Sequence, residues 1–143
     1  MTPFELFVIC HIAGDYIFQN NWMALNKTKD STSLLVHCTI YTTIMTTAFA
    51  CYYNLSHLQT IGVYVVVFTS HHILDMFSVA DKWLSLIRGR SFRSLMEMKE
   101  NICDRNSPKA VSLYAGFTAV VYCLVDFFFH FVLSYPGILI ISN

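Results

Sequence analysis

Apolar residues fall into four long stretches along this chain, and the polar residues that interrupt them recur at helical spacing rather than in alternation. The stretches cover residues 3–19, 32–53, 58–80 and 110–141. About twenty apolar residues are what a helix needs to cross the hydrocarbon of a bilayer. The first stretch is short and would cover about 26 Å at 1.5 Å per residue. The last, of about 32 residues, is longer than one span requires. Its helix begins outside the membrane, or tilts, or is broken near its end by Pro136 and Gly137. Placing the embedded part at 117–141 brings Asp126 toward the depth of the other intramembrane polar groups, and that placement is adopted.

Between the third and fourth stretches the pattern changes. Over residues 81–109, Lys82, Arg88, Arg90, Arg93, Lys99, Arg105 and Lys109 are mixed with Trp83, Leu84, Leu86, Ile87, Phe92, Leu95, Met96 and Met98. Such mixing predicts either a helix lying in the membrane interface or a cytosolic loop with a few buried side chains. The pattern as a whole predicts an all-α integral membrane four-helix bundle. It is one domain over 1–143 with spans at 3–19, 32–53, 58–80 and 117–141, and a basic amphipathic segment at 81–109 between spans three and four.

Composition supports the bilayer as solvent, since 55% of the 143 residues are hydrophobic and only 13% charged, with a mean hydropathy of +0.51. The formal charge is zero, so nothing global points to nucleic acid. Position matters more. All nine Lys and Arg lie in two connections, Lys27 and Lys29 in the first and the rest in 81–109, while the connection around 54–60 has none. The positive-inside rule makes the two basic connections cytoplasmic and puts both chain ends on the other side, with the bacterial inner membrane as the expected location. The first stretch contains His11 and Asp15, has no basic flank before it, and does not read as a removable signal peptide. Five cysteines (Cys10, Cys38, Cys51, Cys103 and Cys123) show no CxxC spacing and read as small packing residues rather than a disulfide or thiolate site.

The polar residues inside the spans repeat one spacing. His11 and Asp15 are four apart, with Gln19 one turn further; His37 and Tyr41, His71 and Asp75, and Asp126 and His130 follow the same step. Residues four apart share a helix face, so four helices each present one polar stripe. Three unpaired intramembrane carboxylates would cost on the order of 8–10 kcal/mol on insertion scales. Hydrogen bonds across helices contribute about 1–2 kcal/mol each, whereas a structural zinc contributes roughly 10–16 kcal/mol in small soluble peptides. Imidazole and carboxylate suit zinc, manganese and iron. The expected cofactor is a divalent transition metal, zinc above all, with His11, Asp15, His37, His71, Asp75, Asp126 and His130 as candidate ligands and Gln19 and Tyr41 supporting them. A polar network without metal and a proton or ion pathway stay open as alternatives. His72 would point away from the Asp75 face, and His57 falls in a connection.

The motifs also carry a resemblance. HIAGDYIFQNNWM from His11, with Asn26 and Lys27 after it, LLVHCTIYT from Leu34, HHILDMF from His71 and VDFFFH from Val125 together resemble domain-of-unknown-function family 3307, small membrane proteins of bacteria and their phages. The likeness covers nearly the whole chain. It is specific in the first motif and looser in the last, where Phe127 stands in a place often held by Gln. The resemblance implies a membrane protein with a polar core and supplies no reaction. The pattern is also similar to that of inner-membrane metal-dependent hydrolases, an analogy of fold and motif.

Two functions follow as expectations. One is a membrane metal-dependent hydrolase acting on a lipid-linked or amphiphilic substrate, with Asp15 or Asp75 as general base and a water nucleophile, since neither a serine motif nor HExxH is present. The other is a non-enzymatic phage or bacterial membrane protein whose His/Asp cluster is structural and whose segment 81–109 binds anionic lipid or a partner protein. Ion transport ranks last because the half of the bundle holding residues 42–49 and 63–68 has few ionisable groups. The expected partner is the lipid bilayer; homo-oligomerisation stays open, since a bundle of short spans often needs a partner surface and nothing in the sequence fixes a copy number.

Overall fold

The computed structural model describes residues 1–88 and 108–142, with side chains described at 1–24, 26–87 and 116–142. Every element in it is helical. Thr2 begins α1 (Pro3–Ile12) with a reciprocal cap: Glu5 N–H donates to Thr2 Oγ1 at 3.2 Å and Thr2 N–H to Glu5 Oε2 at 2.7 Å, with Pro3 in the first turn. The helix then widens into a π turn, Ala13–Ile17, closed by Phe18 N–H on the Ala13 carbonyl at 2.9 Å. Asn20 caps the short α2 (Asn21–Asn26), and Asp30 caps α3 (Ser31–Tyr53) by accepting from Ser33 N–H at 2.9 Å. α3 ends at Asn54, in the left-handed region at φ 53°, with Leu55 N–H on the Ala50 carbonyl at 3.1 Å.

Ser56 and Gln59 form a second reciprocal cap at the start of α4 (His57–Met76). The third apolar stretch, expected to be helical to residue 80, stops at Met76. Ser78 adopts φ 47° and a new helix, α5 (Val79–Arg88), follows. α6 (Pro108–Ser142) runs unbroken through Pro136 and Gly137, so of the three explanations for its length the break near the end is not the one taken. Segment 81–109 is thus helical as far as Arg88; residues 89–107 lie outside the described chain.

Two helices, α3 and the Gly116–Ser142 part of α6, are long and apolar enough to cross a membrane, and a third span results if α4 and α5 are taken together. α1 and its π turn, of ten and five residues, would reach about 22 Å. The distribution of side chains is the reverse of a soluble protein's. Leu58, Ile61, Leu124, Phe128 and Ile140 are exposed, while the side chains of His11, Asp15, His37, His71, Asp75 and His130 are buried. Membrane insertion accounts for both facts, because apolar faces are costly in water and ionisable groups are costly in lipid.

The described chain falls into two compact units. In the first, residues 1–77 and 130–143, the helices pair antiparallel. Along α1 and α3, Tyr52 Oη donates to the Met1 carbonyl at 2.7 Å and His11 meets Tyr41. Along α4 and the end of α6, Gln59 Nε2 donates to the Ile141 carbonyl at 3.0 Å, Ser70 and Ser134 share a hydroxyl hydrogen bond at 2.7 Å, and His71 meets His130. A Cβ on Gly137 would lie 2.7 Å from Val66 Cγ1, so this crossing is close only because residue 137 has no side chain. Phe7, Met45, Phe49, Val63, Val67 and Ile138 fill one end of the interior and are fully buried; the polar residues fill the other. The second unit, residues 78–129, buries Ala80 and Leu84 and stacks Trp83 edge-on against Phe129 at 5.8 Å.

Candidate metal centre

The spacing of four residues that marks each polar stripe becomes, in the first unit, one contiguous cluster of His11, Asp15, His37, Tyr41, His71, Asp75 and His130. All seven are buried. Because the helices pair antiparallel, residues 11–15, 37–41, 71–75 and 130 meet at one level.

The tightest part is a triangle of ligand atoms. His37 Nε2 lies 3.0 Å from His71 Nε2 and 3.0 Å from Asp75 Oδ2, and His71 Nε2 lies 3.4 Å from Asp75 Oδ2. Ligands bound to one tetrahedral zinc at about 2.0–2.1 Å are separated by about 3.3 Å, so these three atoms already stand at ion-binding separations. They form one of the buried sets able to hold an ion. Asp15, His71 and His130 form a second set within 4.8 Å of one another.

Asp15, a member of the second set, also reaches the first. Its Oδ1 is 3.2 Å from His37 Nε2 and 3.6 Å from His71 Nε2, and its Oδ2 is 3.2 Å from His11 Nδ1. The residue is 4% exposed, yet neither oxygen accepts a hydrogen bond of good geometry among the described residues. A buried carboxylate with imidazole nitrogens close by but out of line is a poor hydrogen-bonding arrangement and a good ligand arrangement. Proton counting agrees. A ring nitrogen carries at most one proton, and His37 Nε2 has three partners within 3.2 Å: His71 Nε2, Asp15 Oδ1 and Asp75 Oδ2. The donor set and the orphaned oxygens therefore fit a divalent ion.

The surrounding contacts hold these rings. Tyr41 lies flat on His71, with centroids 3.7 Å apart and planes at 14°, and its hydroxyl is 3.1 Å from His11 Nδ1. Gly14 in the π turn makes that placement possible, because a Cβ there would come within 2.5 Å of Tyr41 Cδ2 and 3.3 Å of Tyr41 Cα. The Gln19 amide approaches His37 Nδ1 at 3.4 Å. With its oxygen turned to an Nδ1–H, Nε2 is left free to bind an ion. His71 Nδ1 lies 3.1 Å from His130 Nδ1.

Of the residues expected from sequence, His11, Asp15, His37, His71, Asp75 and His130 come together in the first unit, with Gln19 and Tyr41 beside them. Asp126 belongs to the second unit, buried and four residues before His130 on α6. His72 stacks on Phe68 at 5.8 Å, away from the cluster's stacked rings, and His57 is exposed at the start of α4. Cys10, Cys38, Cys51 and Cys123 carry free thiols.

One member of the cluster was not anticipated. Lys27, at the end of α2, donates through Nζ to both oxygens of Asp75 at 3.1 and 3.0 Å. In the sequence it stood as a marker of orientation and as a neighbour of the first motif of the resemblance, with no link to Asp75. The available signal was its place in the connection leading to α3, at the membrane side where Asp75 needs a counter-charge.

No curated protein and no solved structure matches the chain, so the likeness to metal-dependent hydrolases finds no counterpart there. A family does match, over residues 4–134 and hence through every residue of the cluster, and the chain belongs to it: the family described as Protein of unknown function (DUF3307).

Proposed function

We propose that the chain is a membrane-embedded metal-dependent hydrolase acting on a lipid-linked or amphiphilic substrate at the cytoplasmic leaflet of a bacterial inner membrane, with both chain ends on the opposite side. The observation that carries this reading is the triangle of His37 Nε2, His71 Nε2 and Asp75 Oδ2 with edges of 3.0, 3.0 and 3.4 Å. Three protein ligands leave a fourth tetrahedral position open, the arrangement of catalytic rather than structural zinc sites. A divalent transition metal there, zinc by preference, supplies Lewis-acid polarisation of a phosphoryl or acyl oxygen and acidifies a water molecule.

The chain's own residues do the rest. Asp75, tied to Lys27, is the anionic ligand. Asp15 Oδ1, 3.2 Å from His37 Nε2, is the carboxylate beside the open position and takes the proton of the attacking water. Tyr41 fixes the His71 ring and Gln19 orients His37. The exposed apolar residues Ile12, Ile73 and Met76, close in sequence to the cluster, offer a surface along which a lipid chain can lie while its headgroup reaches the polar layer.

A second reading has one observation in its favour. The Lys27 ammonium already neutralises Asp75 without any ion, as a structural cluster in a non-enzymatic membrane protein would require, with segment 81–109 binding anionic lipid or a partner protein. Elemental analysis of detergent-purified protein, prepared without chelator beside a His71→Ala/Asp75→Ala variant, separates the two. Tightly held transition metal that the variant loses supports the hydrolase and warrants a screen of lipid-linked substrates. Metal-free but well-folded wild-type protein sinks it.

A further inference from the structure

The first unit holds more ligand atoms than one ion can use. Once His37, His71 and Asp75 are assigned to one ion, a buried carboxylate and two buried imidazoles remain at contact distance: Asp15, His11 and His130. A tetrahedral site has one position left, and a single water or substrate atom fills it.

Two residues face both ways. Asp15 directs Oδ1 toward His37 and His71 at 3.2 and 3.6 Å and Oδ2 toward His11 at 3.2 Å. His71 directs Nε2 toward His37 and Asp75, and Nδ1 toward His130 at 3.1 Å. Both residues are buried, and neither Asp15 oxygen is taken by a hydrogen bond among the described residues. The two ion-binding sets, His37–His71–Asp75 and Asp15–His71–His130, share His71, and Asp15 of the second set also brings Oδ1 to within 3.2 Å of His37 Nε2 in the first. A carboxylate with one oxygen at each of two neighbouring positions is the usual bridge in centres that hold two ions about 3.5–4 Å apart.

We infer that the cluster is a two-ion centre for divalent transition metals, its first position formed by His37, His71 and Asp75 and its second by Asp15 and His130 with His11 beside them, Asp15 bridging the two. The inference rests on the metal-binding reading above and deepens it; with one oxygen committed to each ion, Asp15 acts as a bridging ligand in place of the proton-accepting role it has beside a single ion. It also narrows the substrate. Two dications beside Lys27 outweigh the charge of Asp15 and Asp75, and a phosphoryl group, carrying negative oxygens, offsets that excess better than a neutral acyl ester does.

The test is the number of ions per folded chain. Full-length protein in detergent is stripped, reloaded with Mn²⁺ and followed by elemental analysis and electron paramagnetic resonance. Two ions per chain are expected, with a spectrum broadened by coupling between them. Asp75→Asn and His130→Ala should each retain one ion and regain the sharp six-line signal of an isolated Mn²⁺. A wild-type protein that saturates at one ion with the isolated signal overturns the two-ion centre and leaves the metal reading intact; a folded protein that takes up none overturns both. Because the wild-type spectrum alone decides between one and two, a variant that fails to fold does not block the answer.

Discussion

Lys27→Met is the perturbation with the clearest magnitude. Lys27 is 16% exposed and Asp75 is 4% exposed at the side chain, and the ammonium sits 3.0 Å from the nearer oxygen. At an effective dielectric of about 20 that separation is worth about 5 kcal/mol of attraction before desolvation is charged against it. Removing one partner of such a pair costs about 3–5 kcal/mol, because the carboxylate stays buried and loses its counter-charge. The remaining neighbours, His37 Nε2 at 3.0 Å and His71 Nε2 at 3.4 Å, already face other partners. The cost should appear in unfolding of the detergent-solubilised protein followed by circular dichroism in the presence of chelator. Adding Asp75→Asn to Lys27→Met should recover much of it, since both charges are then gone. With zinc present the loss in Lys27→Met should shrink to about 1 kcal/mol, because an ion at Asp75 Oδ2 takes over the neutralising role. An equal loss in zinc and in chelator would refute the assignment of Asp75 as a ligand. No loss in either would mean that the pair is solvated and contributes nothing.

Three further outcomes follow from the packing. Gly14→Ala places a Cβ against Tyr41, including its Cα at 3.3 Å, so α3 must shift. The expected cost is about 1–3 kcal/mol with weakened metal binding, whereas Gly116→Ala, which meets open space among the described residues, should be neutral or stabilising by about 0.5–1 kcal/mol; thermal unfolding of the two variants checks this. A double-mutant cycle of Ser70→Ala and Ser134→Ala, whose hydroxyls are 2.7 Å apart, should yield a coupling of about 0.6 kcal/mol, the average for interhelical hydrogen bonds in membranes, and no more than about 1.7 kcal/mol. On any lipid-linked substrate that the screen identifies, Asp15→Asn should lower kcat by about 10²–10⁴-fold, and a change confined to KM would remove Asp15 from the reacting centre.

The helices and the polar stripes were legible because a bilayer imposes them. Backbone polar groups must be satisfied within a segment, so apolar runs become helices, and ionisable side chains must turn inward, so the four-residue step identifies the cluster. The π turn at Ala13–Ile17 was not legible. It widens the helix where Tyr41 of α3 approaches Gly14, and that approach is a property of the pair of helices rather than of either sequence. Nor was the end of α4 at Met76, since Phe77 and Ser78 carry no Gly or Pro signal and Ser78 takes φ 47° despite having a side chain. Pro136 misled in the other direction. It forgoes the helical bond to the carbonyl four residues back, yet its fixed φ is compatible with helix and the helix continues to Ser142, while the following Gly137 is used for contact with Val66 rather than for a turn. Lys27 was legible as a charge and as a neighbour of the first motif but not as the partner of Asp75, which is 48 residues away.

The arrangement of polar and apolar layers bears on conduction as well as on catalysis. A pathway for protons or ions needs polar groups reaching both faces of the membrane. In the first unit the polar residues stop at the level of residues 11, 41, 71 and 130, with the Ser70–Ser134 pair and the hydroxyls of Thr42 and Thr46 just beyond. Past them Phe7, Phe49, Val63 and Ile138 are fully buried, and no ionisable side chain is buried at that end among the described residues. Such an interior is closed on one side. Within the first unit the polar layer continues only toward Gln19 and Lys27, which favours the binding or reaction site proposed above over a conduit. An amphiphile suits it better than a freely soluble ion, because an apolar tail can stay in lipid while only the head exchanges with the polar layer.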